Sequence, residues 1–185
     1  MSKPEDPKLT HEEALATLQK ITKHSDLSLI RLYRSSLNPI KATQDEFQGK
    51  VSTLFQTFDN NEFGCLVEYT ELAPTDPDAS QEEFEDDNTQ IHAIQIKGGF
   101  ELRYTIENKE NFSEDEIKAF CRVTAVFQSW PYWREFFPSM LGRTGLPTMQ
   151  VMRPMPVTLA AHLAGYQTPD NELDKAINVS EKDVS

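Results

Sequence analysis

The chain has 185 residues, enough for one domain with one sizeable core, and it carries a formal charge of −12. That sign argues against nucleic acid, whose affinity comes largely from neutralising phosphates with Lys and Arg. No apolar run approaches the roughly 20 residues a membrane helix needs.

The opening, Met1 to Lys8, is polar and lacks the apolar stretch of a secretory signal, so a cytoplasmic protein is expected. Cys65 and Cys121 are isolated and read as free thiols in a reducing compartment. Residues 10–24 predict a short helix. Thr10 and Glu13 stand at capping-box spacing, and Leu15, Leu18 and Ile21 form a thin apolar stripe. From Leu27 to Leu37 a strand is expected, with Leu29, Ile30, Leu32 and Tyr33 supplying both faces and Asn38-Pro39 ending it.

A second strand is expected over about Phe47 to Phe58, followed by a turn at Asp59-Asn60-Asn61. In the third, Phe63, Cys65, Val67 and Tyr69 alternate with polar or small residues, the period of a half-buried antiparallel strand. Residues 74–90 hold seven acids and no base, which predicts a solvated acidic loop. The fourth strand carries the clearest pattern. Ile94, Ile96, Phe100, Leu102, Tyr104 and Ile106 share one parity, while Gln95, Lys97, Glu101, Arg103 and Glu107 share the other. Gly98-Gly99 between them predicts a bend or bulge. The fold class is therefore α+β, a four-stranded antiparallel sheet with one apolar face that a helix must cover.

That helix follows. Ser113 and Glu116 form a second capping box, and Ile117, Phe120, Val123, Phe127, Trp130, Phe137 and Leu141 keep helical spacing. Pro131 and Pro138 leave two readings: a kinked helix, or segments that each begin at a proline. Gly142 and Gly145 mark the exit, a Pro- and Met-rich loop spans Leu146 to Val157, and a short helix is expected around Leu159 to Tyr166. The organisation is thus a polar N-terminus with a short helix (1–26), one domain (27–167) and a flexible polar tail (168–185).

Catalytic signatures are missing. Neither phosphate-binding glycine motif occurs, Ser139 lies outside a nucleophile elbow, and the four histidines are scattered. No enzyme, cofactor or metal is expected. What the chain does concentrate is W-P-Y-W-R-E-F-F at 130–137, with both tryptophans, followed by Met140, Met149, Met152 and Met155. Consecutive aromatics point around a helix rather than along one stripe, so some must face outward, and such patches mark interfaces. A methionine-rich loop reshapes around varied partners. The profile is that of an ATP-independent holdase for unfolded polypeptides. The alternative is a non-catalytic adaptor that uses the same patch for one folded partner.

The segment W-P-Y-W-R-E-F-F-P-S-M-L-G-R-T-G-L-P at 130–147 resembles the F-P-Y-A-R-E…S-M-V-S-R-G-T-F-P segment of the protein-export chaperone SecB. K-G-G-F-E-L at 97–102 is similar to that family's Q-G-G-I-F. D-L-S-L-I-R-L-Y-R at 26–34 and R-P-M-P-V at 153–157 resemble the SecB-like chaperones of toxin–antitoxin systems. The resemblance implies a dimer of dimers with the long helix at the interface, through Phe120, Phe127, Trp130, Trp133 and Phe137. It implies a client groove lined by Phe47 and Val51, by Leu146, Met149 and Val151, and by Leu159 and Leu163. Clients would be export precursors or an antitoxin. Export members carry an acid shortly before the Gly-Gly that helps dock SecA, and this chain has Ala93 or Ile94 there, so SecA docking is not expected.

Overall fold

The computed structural model describes residues 9–42, 49–58, 61–74, 91–145 and 155–167, with the backbone alone described at 42, 74, 91 and 92. The elements are α1 (His11–Ile21), β1 (Ser25–Ala42), β2 (Lys50–Thr57), β3 (Glu62–Pro74), β4 (Ile91–Ile106), α2 (Glu114–Gly142) and α3 (Val157–Leu163). The strands form one antiparallel sheet in the order β1-β4-β3-β2. This is the expected fold class.

Both capping boxes form. Thr10 and Ser113 accept from the backbone of Glu13 and Glu116, whose carboxylates accept in return from the cap residues' N–H groups. The buried face of α1 differs from the expected stripe, however. His11, Ala14, Thr17 and Ile21 are buried, while Leu15 and Leu18 lie on its flank, half-buried. Small Ala14 and Thr17 let α1 lie close to α2, and Ala14 and Ile21 join the common core.

β1 is longer than predicted. It runs straight through Asn38-Pro39, with Pro39 opposite Ile94. Proline removes a ladder donor, but among the described residues β1 is an edge strand bonded only to β4, where that loss is tolerated. The predicted irregularity at Gly98-Gly99 lies across the ladder instead. Both glycines keep unbroken register with β3, and β1 carries the register shifts, at Leu27/Leu29 and Leu32/Arg34. The glycines serve close approach. A Cβ on Gly98 would stand 2.8 Å from the Trp133 ring on one face, and a Cβ on Gly99 would stand 2.6 Å from the Tyr33 ring on the other.

Parity on β3 and β4 behaves as the alternation demands. Phe63, Cys65, Val67 and Tyr69 are buried, as are Ile96, Phe100, Leu102, Tyr104 and Ile106. They face α2, which crosses the sheet as one helix through both prolines. Pro131 and Phe127, whose carbonyl loses its donor, both lie on the exposed side, where water can take that carbonyl. The far face of the sheet carries charge. Arg31 and Arg103 grip Glu101 from either side, with Nε–O distances of 2.8 and 2.7 Å, and Arg34 pairs with Glu68. Cys65 and Cys121 are free and buried. No helix among the described residues is long and apolar enough to cross a membrane.

Candidate functional site

The helix-facing layer is built outward from Tyr69. Its ring stacks on Trp133 with centroids 5.2 Å apart at 12°, and Phe136 and Phe137 pack around that indole. Its hydroxyl donates to the Val126 carbonyl at 2.9 Å and pairs with Ser129 Oγ at 2.9 Å. Burial, partly offset by the Ser129 bond, pushes the Tyr69 phenol far above its ordinary value, so it stays a neutral donor.

This packing buries part of the expected interface set within the single chain. Phe120, Trp133 and Phe137 were placed at a contact between copies, but they are 1%, 0% and 3% exposed within the single chain. Phe120 closes edge-on against Tyr104, and Trp133 and Phe137 fill the stripe over β3 and β4. Phe127 and Trp130 remain. Phe127 is 44% exposed and Trp130 half-buried, and Tyr132, which the spacing did not single out, is 48% exposed. Together with Leu27 and Ile30 of β1 these residues line a groove of about 670 Å³ whose rim carries Arg134 and Glu135. Leu32, two residues along β1 from Ile30, is also exposed. An elongated apolar strip therefore runs beside the β1 edge. The missing signal for Leu27, Ile30 and Tyr132 was tertiary: only the position of β1 next to α2 brings them together.

The opposite edge holds Val51, one of the expected client residues that the structure describes. Val51 pairs with Tyr69, and Phe55 pairs with Cys65 and stacks on Phe63 with centroids 6.3 Å apart. Val51 and Phe55 face the helix side yet are only half-buried, because β2 is the outer strand and α2 lies chiefly over β3 and β4. Leu159 and Leu163 sit on α3, half-buried against the same core. Phe47, Leu146, Met149 and Val151 lie outside the described residues, as does the acidic loop from 75 to 90. Ala93 is buried and Ile94 half-buried beside the glycine pair, so no carboxylate stands at either position.

No family model matches the chain, and no curated protein matches it in sequence. Its structure is similar to that of the Mycobacterium tuberculosis SecB-like chaperone Rv1957, solved in complex with a ChAD peptide from the HigA1 antitoxin (Rv1956). The match has a TM-score of 0.54 at 16% identity and covers 77% of this chain and 97% of that one. The chain therefore has the SecB-like fold that its 130–147 segment resembles.

Proposed function

We propose that the protein is an ATP-independent chaperone that holds unfolded or aggregation-prone polypeptides. One observation carries this reading: the chain leaves apolar surface uncovered at both edges of its sheet, in the fold of a chaperone that binds an antitoxin peptide. Apolar patches of this kind on a strongly acidic chain stay soluble while remaining open to partners. The client-holding residues that the resemblance implies are Val51 on β2 and Leu159 and Leu163 on α3, with Phe47, Leu146, Met149 and Val151 outside the described residues. The strip beside β1, with Phe127, Trp130 and Tyr132, seats a second copy, and two such pairs give the tetramer that the resemblance implies.

Among clients, a dedicated antitoxin suits the chain better than delivery to SecA, because Ala93 and Ile94 supply no acid near Gly98. The reducing cytoplasm suits its two buried thiols. Suppression of aggregation of several unrelated denatured proteins without nucleotide tests the holding activity. Protection of none of them would turn the reading to an adaptor for one folded partner. Sub-micromolar SecA binding that survives moderate salt would overturn the dedicated role.

A further inference from the structure

Resting on the chaperone reading above, we infer that Glu71 is the polar anchor of the client-holding face, taking a lysine or arginine of an otherwise apolar, extended segment. Glu71 lies on the helix side of β3, opposite Ile96 and two residues beyond Tyr69. Its same-face neighbours Tyr69 and Ala73 are buried and apolar. Toward β2 the ladder runs out: the last pair is Lys50–Thr70, and Gly49 lies directly beside the carboxyl group. A Cβ at Gly49 would stand 2.7 Å from the Glu71 carboxyl carbon, so the backbone there leaves just the room the carboxylate uses. Val51, an expected client contact, shares this face and pairs with Tyr69.

The carboxylates of the outer face and the helix start are satisfied. Glu101 is held by Arg31 and Arg103, Glu68 by Arg34, and Glu116 by Lys20. Glu71 has no ion pair and no side-chain hydrogen bond among the described residues. Lys50 and Lys97 both pair with Thr70, and strand alternation turns them to the opposite face. Burial pushes the Glu71 carboxyl up to about 6, which still leaves it ionised at neutral pH. A partly desolvated carboxylate on an apolar face, beside the outer strand of the described sheet, is poised for an ammonium or guanidinium brought from outside, arginine matching its geometry best. The net charge of −12 draws clients of the same basic character.

The test uses the full chain and two synthetic probes: a short extended peptide of apolar residues with one central arginine, and the same peptide with citrulline in that place. Wild type should bind the arginine peptide about tenfold more tightly, and Glu71→Gln should level the two by weakening the arginine peptide alone. Glu71→Leu, which also removes the charge, should level them in the same way, and thermal melts of both variants confirm the fold. A wild type that holds denatured proteins yet binds both peptides equally would overturn the anchor, as would an arginine preference that survives both substitutions. A wild type that protects no denatured protein and binds neither peptide would overturn the chaperone reading, and the anchor with it.

Discussion

The two halves of α2 are both rich in apolar residues and meet opposite fates. Over residues 117–126 every side chain except Lys118 is buried, polar Arg122 and Thr124 included. Over 127–142 burial falls to Ser129, Trp133, Phe137 and Leu141, one residue per turn. The sheet lies under both halves, so the difference comes from the other side. Lys20 of α1 reaches Glu116 at 2.7 Å, and Tyr166, just past α3, bonds to Arg122, so the small helices close over the first half. The second half keeps its outer faces, and that is where the aromatic density of the chain is highest. Aromatic content therefore does not mark the core here. Cover does.

The strongest way to break this comparison is at Trp133, which belongs to the sparsely buried half yet is itself fully buried against Tyr69. Trp133→Ala should cost about 3–5 kcal/mol, matching Phe120→Ala from the closed half, and denaturant melts measure both. A melt unchanged by Trp133→Ala would mean that the single stripe is not core. The same contact can be attacked from below. Gly98→Ala drives a methyl into the Trp133 ring, which cannot retreat, and should cost about 1–3 kcal/mol. Gly99→Ala meets Tyr33 and Arg34, whose side chains are partly exposed and free to swing, and should cost less. Equal losses at the two glycines would contradict the asymmetry of the faces.

How much of this was readable beforehand follows the same division between local and tertiary causes. The parity of β4, the two capping boxes and the exit at Gly142 are local patterns, and they stand where the sequence places them. Pro39 misled because tolerance of proline depends on β1 being an edge, which no local pattern states. Trp133 and Phe127 look alike in the sequence, and what separates them is the side of α2 each takes, Trp133 against Tyr69 of the sheet and Phe127 away from it. Of the expected client residues, Val51, Leu159 and Leu163 were legible as apolar positions, and the half-burial of Val51 comes from β2 lying beyond the strands that α2 chiefly covers.

Glu71 sharpens the picture of the β2 side through pH. Its folded value, about 6, lies above the ordinary 4.5, so the fold favours the protonated form. Below about pH 4.5 both states hold the proton and the wild type pays no penalty relative to Glu71→Gln. As pH rises through 6 the charged form must be accommodated and stability relative to the variant is lost. At neutral pH Glu71→Gln should therefore be more stable by about 1–2 kcal/mol, with the two melts converging at pH 4. A variant less stable than wild type at neutral pH would mean that a cation satisfies the carboxylate.

The smallest effect on stability, and the sharpest test of the open half of α2, is expected at Phe127 and Tyr132. Both are nearly half exposed, so Phe127→Ser and Tyr132→Ser remove little area that folding buries, and each should shift the melt by under about 0.5 kcal/mol. Their proposed work is between copies. If a second chain seats on the groove they form with Leu27 and Ile30, the double variant should lower the mass seen by light scattering at micromolar concentration while leaving the melt of the subunit almost unchanged. Trp133→Ala should do the reverse, lowering the melt through a side chain that no partner can touch. A monomeric wild type would end the assembly reading and leave the strip beside β1 as a second face for clients, in which case the double variant should weaken holding instead.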